Sequence, residues 1–141
     1  MLTILDNIYA SKGLYQELLS PLCKKYNLTD SEVVILMFLD DKTTGDTSTD
    51  IVLNQRLKKS VVSGSIKDLL DRKLISSEYY DGNRRSLHLK LEDGAKQIVN
   101  EAKEVKDIYY QILTEGLDKQ EKSNLESYMK KISKNIRSYK K

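Results

Sequence analysis

Histidine, cysteine and proline each occur once in this 141-residue chain, and glycine only six times. Each scarcity removes a class of function. A single cysteine, Cys23, excludes an internal disulfide and a zinc site built on several thiolates. The single histidine, His88, has no ligand cluster around it and falls into no Ser-His-Asp order, and no glycine-rich phosphate loop occurs. Neither an enzyme, nor a metal site, nor a cofactor is expected. With so little proline and glycine, most of the chain reads as regular structure. Long apolar runs are also missing. Asp6, Asn7 and Lys12 interrupt the first segment, which therefore reads neither as a signal peptide nor as a membrane span. The expectation is a cytoplasmic protein with no membrane partner. At 141 residues one compact domain is expected, and charged residues at 32% with hydrophobic ones at 39% let it bury a core with little to spare.

What the chain does have is patterned charge. The net charge is +3, but it is unevenly spread. Residues 1–47 carry −3, residues 48–90 carry +4, residues 91–121 carry −4 and residues 122–141 carry +6. A basic block between acidic neighbours favours a polyanionic partner, because lysine and arginine neutralise phosphates and release counterions.

The basic block also carries the most informative pattern. Thr47-Ser48-Thr49-Asp50 is a capping signal that opens a short helix to about Gln55. Ser60 then reads as the cap of a second helix, with Val62, Ile66, Leu69 and Leu70 on one apolar stripe. Ser63, Gly64, Ser65, Lys67 and Asp68 fall largely off that stripe and leave a small, hydrogen-bonding outer face. Gly64 is the odd choice, since glycine inside a helix costs about 1 kcal/mol relative to alanine. Close approach to a backbone or to base edges would account for it; a tolerated surface glycine is the plainer alternative. Lys58 and Lys59, just before the helix, suit phosphates.

The period then changes to two. Leu87, Leu89 and Leu91 alternate with Ser86, His88 and Lys90, a half-buried strand with His88 turned outward. Ser76 to Tyr80 is its expected antiparallel partner, and Asp81-Gly82-Asn83 supplies turn chemistry. Arg84 and Arg85 stand where the turn meets the second strand, placed either for a narrow minor groove or for structural pairing within the hairpin. Helix, turn, helix and hairpin in that order is a winged helix-turn-helix.

Upstream, apolar residues recur at helical spacing over residues 3–19. Pro21 after Ser20 marks either a helix restart or a kink in one continuous helix. Thr29-Asp30-Ser31-Glu32 is a capping box, so a helix starts near Asp30 and fails at Asp40-Asp41. Downstream, residues 95–114 carry Ile98, Val99, Ala102, Val105, Ile108, Tyr109, Ile112 and Leu113. Asp118 to Glu121 caps a last helix with Leu125, Tyr128, Met129, Ile132, Ile136 and Tyr139 on one face. A small winged-helix core cannot cover all these faces. Burying one Leu or Ile is worth roughly 1.5–3 kcal/mol, so a second subunit is the simplest cover.

The segments LTDSEVVILMFLDD, LKKSVVSGSIKDLLDRKLI and DGNRRSLHLKLEDG together resemble the MarR family of bacterial transcription regulators. The motifs cover about residues 28–98, and the helix order covers the whole chain. The wing departs from the family pattern: Asn83 stands where an acid is usual, Glu92 follows Leu91 in place of Thr, and the turn is shorter by about a residue. The resemblance implies a mainly α fold with a small β-hairpin wing. It divides the chain into an N-terminal dimerisation helix (1–28), a DNA-binding lobe (29–94) and C-terminal dimerisation helices (95–141). It implies an obligate homodimer whose two recognition helices meet an inverted repeat in double-stranded DNA. Lys58, Lys59, Ser60, Ser63, Gly64, Ser65, Lys67, Arg84 and Arg85 are the contacting positions it assigns. It also implies repression as the default output, relieved by a small phenolic or lipophilic effector.

Tyr9, Tyr15, Tyr26, Tyr109 and Tyr110 are candidates to line an effector cleft, with ordinary interface packing as the alternative. Cys23 lies beside Lys24 and Lys25, which would lower its pKa and open a redox-sensing role; its spacing from Leu19 and Leu22 fits burial instead. A winged-helix protein-interaction module that ignores DNA is the remaining alternative.

Overall fold

A computed structural model describes residues 3–80 and 82–139. Six helices and one hairpin follow in the order α1 (Ile4–Tyr26), α2 (Asp30–Asp40), α3 (Ser48–Gln55), α4 (Lys59–Asp71), β1 (Ile75–Tyr80), β2 (Asn83–Leu91), a 3-10 turn (Asp93–Ala95), α5 (Lys96–Leu113) and α6 (Lys119–Tyr139). They form two compact units, Met1–Tyr109 and Tyr110–Lys141. The fold is mainly α with a two-stranded antiparallel wing, as the sequence predicts.

Local hydrogen bonds set most helix starts. Thr3, Thr29 and Thr47 each form a reciprocal capping box with the acid three residues on, Asp6, Glu32 and Asp50. At Thr29, Glu32 N–H donates to the hydroxyl at 3.1 Å and Thr29 N–H donates to Glu32 Oε1 at 2.8 Å. Asp118 and Glu121 reciprocate in the same way ahead of α6, at 2.8 and 2.9 Å. Each such cap is worth about 1 kcal/mol. α1 is continuous through Pro21, so the proline is absorbed within the helix rather than restarting it.

The exception is α4. Its N-cap is Lys58, in extended conformation, and no side chain caps it. Val62 N–H already donates to Lys58 O at 3.0 Å. The helix therefore begins earlier than a Ser60 cap would have it, and Ser60 sits in its first turn.

In the first unit α2 is the hub. Val33, Ile35, Leu36, Phe38 and Leu39 are all buried, and α1, α3, α4 and β2 pack around them. α4 presents Val62, Ile66 and Leu69 to this core, which turns its serine and glycine face outward. Ile98, Val99 and Ala102 of α5 close the core from the other end of the sequence. Past α4 the chain reverses through Lys73, which takes the left-handed conformation at φ 59°. Leu74 N–H reaches back to Leu69 O and Lys73 N–H to Leu70 O, each at 3.0 Å, and β1 follows. Arg72 forks across two carbonyls at the end of α1, Nη2 to Tyr26 O at 2.6 Å and Nη1 to Asn27 O at 2.8 Å. A cation there meets both the unsatisfied carbonyls and the negative end of the helix dipole.

The wing pairs Ile75 with Leu91, Ser77 with Leu89, Glu78 with His88 and Tyr80 with Asn83, with an irregularity between Glu78 and Tyr80. Gly82 makes the turn at φ 75°; Asp81, assigned to the same turn, lies outside the described residues. A bridge between Thr47 and His88 joins β2 to the segment before α3.

The second unit contains the end of α5 and all of α6, which has no buried residue among those described. Tyr110, Ile112, Leu113, Tyr128, Met129, Ile132 and Ile136 are all exposed large hydrophobics. A groove of about 970 Å³ in this unit is lined by Tyr110, Leu113, Leu125 and Met129 among others. In the first unit, Ile4, Leu5, Ile8 and Tyr9 of α1 are exposed in the same way.

Gly45 gives a sharp test of the junction between α2 and α3. It holds φ 111°, and an added Cβ would stand 2.4 Å from Asp50 Oδ2. That carboxylate is engaged by the backbone N–H groups of Asp46 and Thr47 and is not free to move away. Gly45→Ala is expected to destabilise the protein by about 2 kcal/mol or more, from the backbone conformation and the lost cap together. Denaturant unfolding checks this, and a change below about 0.5 kcal/mol would contradict it.

Candidate nucleic-acid interface

α4 carries most of the candidate residues, and the burial of its apolar stripe decides which of them face out. Lys58, Lys59, Ser60, Ser63, Gly64 and Lys67 are exposed or nearly so, while Ser65 is half-buried on the flank nearest the core. An added Cβ at Gly64 would meet nothing within 4 Å, so no contact among the described residues requires a glycine there. The uncapped start of α4 leaves the N–H groups of Lys59, Ser60 and Val61 without intrahelical partners, at the positive end of the helix dipole. Lys58 and Lys59 flank those amides, an arrangement suited to a phosphate.

A groove of about 390 Å³ runs between α3, α4 and β2, and brings Lys59 and Ser63 together with Thr49 and Leu53. Leu53 is 70% exposed. Neither Thr49 nor Leu53 stands out in the sequence as a surface residue of this groove, because α3 announces itself there only by its capping signal.

The two wing arginines are both exposed but differently engaged. Arg84 lies over the Tyr79 ring, Cζ 5.9 Å from its centroid, a cation–π geometry. Strand alternation sends Arg85 to the opposite face. Its own backbone N–H donates to Asn83 Oδ1 at 3.0 Å, fixing the strand start beneath it.

His88 is not a free outward residue. Its ring stacks on Tyr80 at 3.7 Å between centroids and 9° between planes. Its Nδ1 stands 2.7 Å from Asp46 Oδ1. Alternation turns it outward, but Asp46, which arrives from a loop 42 residues earlier, covers that side and leaves His88 half-buried.

The five tyrosines part company. Tyr15 and Tyr109 meet edge to face at 5.1 Å and line a cavity of about 600 Å³ among α1, α2 and α5, with Met37, Phe38, Lys12 and Lys106. Lys103 and Asp40 form an ion pair of 2.7 Å on its wall. Burial, followed by the charge of Asp30, raises the Tyr15 pKa, so its hydroxyl is a neutral donor. Tyr9 is 67% exposed elsewhere on α1, and Tyr26 donates its hydroxyl to Glu101, which also pairs with Lys25 at 2.6 Å. Tyr110 belongs to the second unit and donates to Glu126 at 3.2 Å.

Cys23 meets an environment opposite to the one its neighbouring lysines suggest. Its Sγ lies 3.3 Å from Asp30 Oδ1. Burial, the hydrogen bond to Asp30 and the charges of Asp30 and Glu32 push the thiol up to about 12. Glu32 is itself raised, by burial and then by Asp68 of α4. No group of three or more metal-ligating side chains occurs among the described residues, and no described helix is long and apolar enough to cross a membrane.

No protein-family model and no curated protein matches the chain. Solved structures do. A MarR family transcriptional regulator from Listeria monocytogenes, in complex with 26mer DNA, superposes with a TM-score of 0.83 at 18% identity, over 96% of this chain and 90% of that one. The transcriptional regulator SlyA gives 0.83 at 18%, over 96% and 94%. Bordetella bronchiseptica BpsR, whose DNA binding is regulated by 6-hydroxynicotinic acid, gives 0.71 at 21%, over 89% and 95%. The chain therefore has the winged helix-turn-helix fold of MarR-family transcriptional regulators.

The raised Cys23 thiol is directly testable. Relative to the usual value near 9, the thiolate fraction at pH 8 falls about a thousandfold, and alkylation slows with it. Iodoacetamide is expected to label the native protein about a thousandfold more slowly than free cysteine, and the urea-unfolded protein at the ordinary rate. Native labelling within tenfold of free cysteine would contradict the assigned environment.

Proposed function

We propose that this protein is a sequence-specific, double-stranded-DNA-binding transcriptional regulator, acting as a homodimeric repressor that a small-molecule effector releases. The observation that carries the reading is Gly64. It stands mid-helix on the outward face of α4, with nothing among the described residues calling for a missing side chain. A partner that approaches the backbone closely supplies the reason, and the floor of a major groove is such a partner. The uncapped α4 terminus, Lys58, Lys59 and Arg85 supply phosphate contacts around it. The +4 charge of residues 48–90 fits the same partner.

The exposed apolar faces of α1, α5 and α6 support a second copy as their cover. Two α4 helices related by a two-fold axis would then enter successive major grooves about 34 Å apart, on an inverted repeat. The cavity lined by Tyr15 and Tyr109 is the place for an effector: apolar walls, a neutral phenolic donor and lysines at its rim suit a small aromatic compound with a polar group. Such a compound acts only by binding the DNA-competent and incompetent forms unequally.

Binding is tested by fluorescence anisotropy with a duplex from upstream of the protein's own gene that contains an inverted repeat. Two chains per duplex are expected. With Lys58, Lys59 and Arg85 engaged in each copy, the logarithm of the affinity should fall with the logarithm of salt at a slope of about −5. A flat salt response would favour the protein-interaction module. Gly64→Ala separates function from folding by opposite signs. It is expected to stabilise the protein by about 0.5–1 kcal/mol while weakening specific DNA binding at least tenfold. Unchanged affinity in this variant would remove the proposed role of α4.

A further inference from the structure

Asp46 occupies a position that neither the core nor the α4 surface explains. It lies in the loop between α2 and α3, yet four hydrogen bonds converge on it. Its backbone N–H donates to Asp50 Oδ2 at 3.0 Å, the same oxygen that accepts from Thr47 N–H in the capping box of α3. Its carbonyl accepts from Leu89 N–H of β2 at 2.8 Å. One carboxylate oxygen faces His88 Nδ1 at 2.7 Å, and the other accepts from the Tyr80 hydroxyl at 3.2 Å. A carboxylate only accepts, so His88 carries its proton on Nδ1 and donates. Tyr80 comes from β1 and His88 from β2, and their rings stack. One side chain thus holds both strands of the wing, and its backbone holds the wing to the start of α3.

A two-stranded hairpin is marginal in isolation. Among the described residues of β2 past Leu89 toward the wing's tip none is buried: residues 82–85 are exposed and 86–88 half-buried. Its direction is therefore set at its base, where Asp46 sits. We propose that Asp46, His88 and Tyr80 form a clamp that aims the wing, and that Arg85 reaches the DNA phosphates only while the clamp is closed. The three are positioning residues for DNA recognition and do not themselves touch nucleic acid. This inference rests on the DNA-binding reading above.

The test compares wild type, His88→Ala, His88→Asn, Tyr80→Phe, Arg85→Ala and the double variant His88→Ala/Arg85→Ala on the inverted-repeat duplex. His88→Ala is expected to lose roughly tenfold in affinity, with a shallower salt slope. His88→Asn, whose amide N–H falls close to the place of Nδ1–H, should recover to within about threefold of wild type. The double variant should bind no more weakly than Arg85→Ala alone, because a misdirected wing and a missing arginine remove the same contact. Additive losses, or wild-type affinity and slope in His88→Ala, would overturn the clamp. Amide exchange in the DNA-free protein is a second, independent test. Residues 83–87 should exchange about tenfold faster in His88→Ala and detectably faster in Tyr80→Phe, while the amides of α2 stay protected. Unchanged wing exchange overturns the clamp whatever the DNA result. Failure of the wild type to bind any duplex overturns the regulatory reading instead and leaves the exchange experiment to decide on the clamp.

Discussion

The burial of α2 is the constraint from which the rest of the first unit follows. Six of its eleven residues are buried, Glu32 among them, and none between Val33 and Leu39 is fully exposed. A helix apolar on nearly all sides must be wrapped, and α1, α3, α4 and β2 wrap it. Each contributes buried apolar residues to the core around it, Leu19 and Leu22 from α1, Ile51 from α3, Val62, Ile66 and Leu69 from α4 and Leu89 from β2, while Ile4, Leu5 and Ile8 of α1 and Leu53 of α3 stay exposed; the outer side of α4 is polar. For α4 that polar side is Ser60, Ser63, Gly64 and Lys67. The candidate DNA surface is thus the by-product of a packing requirement, and a change to α4 that moved Val62, Ile66 or Leu69 off the core would move the outer face with it. Burying Glu32 carries a cost, visible in its raised pKa. Its Oε1 offsets part of that cost by closing the Thr29 cap that starts α2.

What is readable in the sequence is what depends on neighbours three or four residues away. The boxes at Thr29, Thr47 and Asp118 are such local pairs, and their helices start where they predict. The alternation of Leu87, Leu89 and Leu91 marks the wing for the same reason, since a strand's period is a local property. Ser60 misleads because a serine ahead of an apolar stripe is a good cap in general. Here Lys58 already lies in the extended conformation that starts the helix, and only the tertiary path of the chain from α3 decides that. The Arg72 fork on the end of α1 and the Asp46–His88 contact join residues 45 and 42 positions apart. Nothing in either local sequence announces them. Cys23 is the clearest case: its neighbours in sequence are cations, its neighbours in space are Asp30 and Glu32, and the spatial ones set its chemistry.

Three ties therefore converge on the α4 and wing region: the core stripe into α2, Arg72 onto the end of α1, and Asp46 into both strands of the wing. Each fixes a different direction. The stripe sets how α4 is rotated, Arg72 holds its C-terminal end against α1, and Asp46 sets the inclination of the hairpin. A lobe restrained in this way has few soft internal coordinates. Close-packed interiors respond to a ligand by moving as bodies rather than by deforming evenly. If two such lobes form the proposed dimer, an effector in the cavity beside Tyr15 would change DNA affinity chiefly through the separation and tilt of the two α4 helices. Ile75 and Leu89 pack the base of the wing into the core, and past Leu89 its described residues are held at that base by the polar contacts of Asp46. Under the proposed function, the Asp46 contacts at the base of the wing are therefore a place where DNA recognition would change without removing a core side chain.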